Sequence, residues 1–282
     1  MSDNPSEPRA DLASLAAALR GYLEWQQDAG TVGFPKRTAV SVSAPTPAPA
    51  STPASAPANV PVPANVPASA PAPASTPAPA SLDRAIRLPQ LAQEVASCTK
   101  CALAATRTQT VFARGNPEAQ LCFVGEAPGA DEDEQGLPFV GRAGQLLDRM
   151  IGAMGLTPDR DVYVCNIIKC RPPGNRRPEP VETATCIPYL HEQLALVRPK
   201  VIVALGNTSV AALLDTRLGI TKLRGQWKLY RGTLVMPTYH PSYLLRPSPQ
   251  QVDAKRQAWE DLQLVMKELG LELPKPRTRS ES

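Results

Sequence analysis

The stretch APTPAPASTPASAPANVPVPANVPASAPAPASTPAPA, ending at Ala80, constrains this chain more than any other feature. From Pro45 to Ala80 it carries no charged and no aromatic side chain and consists almost wholly of Ala, Pro, Ser, Thr, Val and Asn. Such a segment cannot bury enough apolar surface to offset the entropy of ordering it, so a disordered, semi-extended linker over 38–83 is expected. In polyproline II, at about 3.1 Å per residue, it would reach roughly 100 Å. The 282 residues therefore divide into an N-terminal tail (1–37), the linker, one domain over 84–270 and a disordered C-terminal tail over 271–282.

In the N-terminal tail, Leu12, Leu15, Leu19 and Leu23 fall on one helical stripe, with Asp11 as a cap and Gly30 as a stop. A short amphipathic helix on a long tether suits a protein partner; weak packing on its own domain, or fraying, is the other reading. Residues 1–83 hold four Lys or Arg against six acids, which leaves 26 against 20, or +6, on residues 84–282. That balance tolerates a polyanionic partner without requiring one. No run of eighteen apolar residues is present, so no membrane span is expected. The first thirty residues lack a secretory pattern, and a reducing cytoplasm is the expected compartment.

After the linker, the apolar runs LCFVGE (121–126), VYVCNI (162–167), VIVALG (201–206) and LVMPTYH (234–240) read as short buried strands. Helical patterns separate and follow them, in GRAGQLLDRMIGAMG, PVETATCIPYLHEQLALV, NTSVAALLD and PQQVDAKRQAWEDLQLVMKEL. The alternation predicts an α/β fold, a three-layer α/β/α sandwich around a mostly parallel four-stranded sheet. Ligands of such sheets bind beyond the carboxyl ends of the strands. Here those ends carry GEAPGADEDEQG, NIIKCRPPG, GNTS and HPSYLLR.

Cys98 and Cys101 form a Cys-x-x-Cys pair, and Cys170 and Cys186 flank the loop RPPGNRRPEP. An all-thiolate set suits zinc or an iron-sulfur cluster, and unrelated free cysteines remain the alternative. Cys122 and Cys165 lie inside strand runs and read as small buried hydrophobes.

With CTKC, GEAPGADEDEQGLPFVGRAGQLLDRM, NIIKCRPPGNRRPEP and HPSYLLR in this order, residues 90–268 closely resemble the family 4 uracil-DNA glycosylases. The resemblance implies a DNA repair enzyme that flips uracil out of single- or double-stranded DNA and hydrolyses its N-glycosidic bond, leaving an abasic site. It implies that Cys98, Cys101, Cys170 and Cys186 hold a [4Fe-4S] cluster in a protein acting as a monomer. His240, Glu126 and Asn166 are its catalytic candidates. Gly125, Glu126, Glu132, Phe139, Asn166 and His240 would bind the base: His240 toward uracil O2, Asn166 on O4 and N3–H, Phe139 stacking, and backbone amides after Gly125 contacting the ring. Ser242 would grip phosphate, Leu244 or Leu245 would wedge into the vacated stack, and Arg171, Arg176, Arg177 and Arg246 would face DNA.

The family 1 pattern has an aspartate that orients water where this chain has Ala127, and a tyrosine that excludes thymine's methyl where it has Gly129. Glu132 is expected to fill the methyl-excluding space, and Glu126 to position the base or stabilise the cationic sugar. Asp133 and Glu134 read as a solvated loop, and His191 as surface. Two other functions stay open. One is a relative that remains covalently cross-linked to the abasic sugar, although this chain lacks that relative's Gln after Glu126 and the histidine of its basic loop. The other is a non-catalytic DNA- or polymerase-associated binding module.

Overall fold

Three strands whose every residue is buried form the centre of the sheet: β2 (Leu121–Gly125), β3 (Val162–Asn166) and β4 (Val201–Leu205). Burial on both faces is why they read as continuous apolar runs instead of alternating ones. The computed structural model describes residues 80–274, with side chains from residue 84 onward. The N-terminal helix expected over residues 11–30, the linker up to residue 79 and residues 275–282 lie outside the described residues.

The sheet has six strands in the order β1-β3-β2-β4-β6-β5, two more than the four expected. The inner four, β3, β2, β4 and β6 (Thr233–Thr238), are parallel. The additions are three-residue antiparallel edge strands, β1 (Ala113–Gly115) on β3 and β5 (Lys228–Tyr230) on β6. Neither is fully buried, so neither leaves an apolar run in the sequence. β5 pairs only with Thr233–Val235, which places Pro237, lacking an N–H, beyond the end of that ladder.

Helix α1 (Ala80–Ala96) begins inside the stretch assigned to the linker. No proline lies between Pro79 and Pro89, and alanine favours the helix, so the backbone is free to turn there. Its Leu88, Leu91 and Val95 are buried, and it packs on the helix Pro180–Val197. The connection from β2 to β3 carries the short α2 (Ala130–Gln135) and then α3 (Arg142–Ala153). From β3 the chain crosses back over β2 to β4 through α4 (Pro180–Val197). Parallel crossovers are right-handed, so these opposed directions carry α3 and α4 to opposite faces of the sheet. α5 (Gly206–Leu214), α6 (Ile220–Leu223), α7 (Pro241–Leu244) and α8 (Gln251–Leu269) complete the layers. Leu271 is half-buried and its N–H donates to Met266 O at 2.9 Å, so the tail expected from residue 271 starts as an ordered cap on α8. Among the described residues no helix is long and apolar enough to cross a membrane.

The loop entering α3 is pressed against the helix. Phe139 has φ of 57°, in the left-handed region, and its carbonyl occupies the space where a Cβ on Gly144 would stand. Gly152, on the same helix, has nothing within 4 Å of its own Cβ direction. Gly144→Ala is therefore expected to lower stability by about 1–3 kcal/mol through overpacking. Gly152→Ala should raise it by about 0.5–1 kcal/mol, because alanine loses less backbone entropy in a helix. Urea denaturation of the two variants checks both signs.

Candidate active site

Strands β2 and β4 are neighbours whose following connections lead to opposite sides, which makes their carboxyl ends the switch point of the sheet. A cleft of about 860 Å³ opens there, lined by residues from the ends of all four inner strands, Glu126, Asn166, Gly206 and His240 among them. The loops singled out in the sequence thus meet in one place.

His240 follows β6 and caps α7. The Ser242 backbone N–H donates to its Nδ1 at 3.1 Å, and the Ser242 hydroxyl lies 2.8 Å from the same atom. An N–H cannot donate to a protonated nitrogen, so Nδ1 is bare and the neutral ring carries its hydrogen on Nε2. Desolvation by the surrounding protein pulls the imidazole pKa down to about 4, which keeps it neutral near pH 7. Gly206 has φ of +85°, and a Cβ there would stand 2.9 Å from the His240 Cβ, so glycine is what lets α5 start against the histidine.

Asn166 ends β3 directly opposite Gly125, the last residue of β2. Its side chain is 1% exposed, and its Oδ1 is buried without a hydrogen-bond partner among the described residues. A Cβ at Gly125 would collide with both that oxygen and the Phe139 ring. The missing side chain therefore allows amide and aromatic ring to converge. The Phe139 ring centroid lies 5.6 Å from that of His240, tilted by 31°. A buried acceptor with no partner calls for a donor from a ligand. Here the ligand would meet an aromatic face, an amide and a neutral imidazole together.

The acids divide by role. Glu132 accepts 2.9 Å hydrogen bonds from the N–H groups of Gly129, Val140 and Gly141, cross-bracing the two loops of this wall. One of its oxygens lies 2.5 Å from where a Gly129 side chain would begin, so Glu132 occupies the space that this glycine leaves. Asp133 is not a solvated loop residue. It is buried on α2, and its carboxylate accepts the Thr108 N–H at 3.0 Å, a tertiary partner that only folding supplies. Glu134 is exposed as expected. Glu126 is half-buried on the cleft wall, with no side-chain hydrogen bond among the described residues.

The basic residues divide as well. Arg176 lines the cleft but is held in a two-pronged pair with Glu182, at 2.9 and 2.7 Å, whose side chain is only 3% exposed. Arg177 and Arg246 are exposed on the cleft, Arg246 lying over the Tyr243 ring at 5.8 Å. Arg171 does not line it; its Nε donates to Asn175 Oδ1 at 2.8 Å. Ser242 is exposed at the rim. Leu244 corrects the sequence reading. It is 1% exposed, turned into the core where α7 meets α3 and α8, while Leu245 is half-exposed and packs on the edge of that core. His191 sits on α4 outside the cleft, its Nδ1 3.1 Å from an Arg231 nitrogen. Sequence reasoning did not single out Thr208, Tyr239 or Tyr243, all on the cleft wall. Their one signal was position, each lying just after the carboxyl end of a parallel strand.

Cys98 and Cys101, together with Cys170 and Cys186 from much later in the sequence, line one small cavity of about 10 Å³. The Arg107 guanidinium donates to Cys170 Sγ at 3.2 Å and the Lys169 backbone N–H to Cys186 Sγ at 3.3 Å. Burial pushes the Cys186 thiol up to about 11 and raises that of Cys170. Among the described residues no three His, Cys, Asp or Glu side chains are grouped closely enough to hold a metal ion. Cys122 and Cys165 are fully buried in β2 and β3, as expected.

Comparison with known proteins agrees with this geometry. A protein of Thermotoga maritima named type-4 uracil-DNA glycosylase is 44% identical over 177 residues, which cover 61% of this chain and 90% of that protein. A type-4 uracil-DNA glycosylase of Sulfurisphaera tokodaii is 45% identical over 168 residues, covering 56% of this chain and 76% of that protein. A type-5 uracil-DNA glycosylase of Pyrobaculum aerophilum is 34% identical over 147 residues, covering 46% and 64%. The family model of the uracil DNA glycosylase superfamily matches residues 112–263, more than half of the sequence, and the chain belongs to that superfamily.

Proposed function

We propose that this protein is a type-4 uracil-DNA glycosylase, a DNA repair enzyme that extrudes uracil from DNA, hydrolyses its N-glycosidic bond and leaves an abasic site. The observation that carries the reading is the partnerless Asn166 Oδ1, meeting the Phe139 ring across Gly125 and lying in one cleft with His240. Uracil offers an N3–H donor to that oxygen and an O4 acceptor to the same amide. Cytosine reverses this pattern and would leave buried polar groups unmatched, the kind of mismatch that rejects a wrong ligand strongly.

As the bond to the sugar breaks, negative charge gathers on uracil O2 and positive charge on the sugar. A neutral imidazole with hydrogen on Nε2 is a donor that strengthens as that charge develops, so it favours the transition state over the ground state. The Glu126 carboxylate is free to support the cationic sugar or steady the base. Ala127 has no group to activate water, and the mechanism therefore leans on leaving-group stabilisation. Glu132, held in the space beside Gly129, would crowd the methyl of thymine. Extrusion costs a few kcal/mol of lost stacking, offset by Leu245 entering the gap and by phosphate contacts. Those contacts would come from Ser242, Arg177, Arg246 and the N–H groups at the start of α5.

The four cysteines do not converge on a single ion, but their chemistry suits an iron-sulfur cluster, in which each thiolate binds a different iron: an all-sulfur donor set around one cavity, with N–H groups directed at two of the sulfurs. A [4Fe-4S] cluster there would supply a cross-link between the segment after α1, the end of β3 and α4. The chain's own contribution is to order the loop carrying Arg171, Arg176 and Arg177 against DNA.

Single-turnover excision from a uracil-containing oligonucleotide tests the reading: His240→Ala or Asn166→Ala should slow it by about 10²–10³-fold in a folded protein. Undiminished excision by either variant would refute the assignment, and an SDS-resistant protein–DNA adduct in place of free uracil would favour the cross-linking reaction. The pH dependence has a definite sign. With the His240 pKa lowered from its ordinary 6.5 to about 4, excision should be flat from pH 8 to about 5 and fall only below that. The same shift makes the unfolded state the better proton acceptor between those values, so this residue's contribution to stability declines as pH drops from 6.5 toward 4. An activity midpoint near 6.5 would contradict the desolvated neutral ring. Anaerobically purified protein should contain iron and acid-labile sulfide, with visible absorbance that Cys170→Ser abolishes; stoichiometric zinc without iron would overturn the cluster.

A further inference from the structure

Lys169 is 1% exposed, and its side chain belongs to no part of the chemistry above. Its ammonium donates to Gln193 Oε1 at 2.6 Å, to the Asn166 backbone carbonyl at 2.8 Å and to the Phe112 carbonyl at 3.4 Å. Three donors thus meet three oxygens, two backbone carbonyls and a side-chain amide, none of them a carboxylate. Its main chain is tied down too, the N–H to Cys186 Sγ and the carbonyl accepting from Val111 N at 2.8 Å. Lys169 also lines the cysteine cavity.

The carbonyl that Lys169 holds belongs to the peptide between Asn166 and Ile167, whose N–H donates to Gly125 O at 3.0 Å. Both sides of that peptide plane are therefore pinned, which fixes the direction in which the Asn166 side chain leaves the backbone. Burying an ammonium without a carboxylate is costly, whereas an apolar chain of similar length would bury readily. The charge is explained if the end of β3 must be held rigidly. We propose that Lys169 is a positioning residue for base recognition, tethering the Asn166 peptide to the cysteine-bearing wall so that the amide meets the extruded base in one orientation. The proposal rests on the uracil reading of the cleft. It also makes the cysteine wall part of the base-reading machinery, since the backbone that carries Cys170 is the backbone that aims Asn166.

The test is a double-mutant cycle between Lys169→Met and Asn166→Ala in the iron-loaded full chain. Its readouts are affinity for an oligonucleotide bearing a non-hydrolysable 2′-fluorinated deoxyuridine, kcat and KM for excision, and iron content. Lys169→Met should weaken the analogue by tenfold or more and slow excision by a similar factor with iron content unchanged. Added to Asn166→Ala, it should change either quantity by less than twofold, because the group it positions is gone. Equal losses in both backgrounds, or none in the wild-type background, would overturn the tether. Should Lys169→Met fail to hold iron, Gln193→Met removes the strongest side-chain acceptor of the ammonium without altering a residue adjacent to a cysteine. The same non-additivity is expected of it, and additive losses would again count against the proposal. A wild-type protein that excises no uracil, or Asn166→Ala at full activity, would instead overturn the uracil reading and the tether with it.

Discussion

The parallel register of the four inner strands is the constraint on which the rest depends. Gly125 stands opposite Asn166, and Leu205 opposite Thr238, so the strands end together and the residues just beyond them emerge on one rim. Hydrogen-bonded ladders fix those ends to within fractions of an ångström, which a set of surface loops could not do. Glycine then decides how closely the rim can converge. Gly125 admits the Asn166 amide and the Phe139 ring, Gly144 admits the Phe139 carbonyl, and Gly206 admits His240. The left-handed backbone of Phe139 is a strained conformation located at the site, where strain of this kind is held by surrounding packing.

Around that rim, polar groups fall into two populations. Glu132, Asp133, Glu182 and Asp261 are spent on structure: three brace loops through backbone N–H groups, and Asp261 accepts from Thr238 Oγ1 at 2.6 Å and pairs with Arg224. The second population is left unspent. Among the described residues Asn166 Oδ1 has no partner and Glu126 has no side-chain bond, and the His240 ring offers Nε2–H because Ser242 occupies Nδ1. The unspent groups sit on one cleft while the spent ones hold its walls, and this division separates a site from a merely polar surface.

Much of this architecture is legible in the sequence because it is carried by period and composition. Fully buried strands must be apolar throughout, and the helices between them must repeat at 3.6 residues, so four strands and four helices could be read directly. The edge strands β1 and β5 could not, since three residues that are not all buried are too few to show a period. α1 was not read as a helix, and its first turn fell within the expected linker because the proline-rich composition was extended past its last proline. The acids of α2 show the same limit. Nothing local distinguishes Asp133, which caps a distant N–H, from Glu134, which faces water.

Sequence alone determined the alternation of the core and the identities of the residues at the strand ends, because apolar periodicity and motif order are properties of neighbours along the chain. Only the tertiary structure decided that Leu244 is core while Leu245 is half-exposed, that Arg176 is committed to Glu182, that Asn166 Oδ1 stays partnerless among the described residues, and that Lys169 joins the cysteine wall to the cleft. Each of those is a contact between residues brought together by packing or a choice of which way a side chain turns, and burial and hydrogen bonding settle such choices only once the sheet has closed.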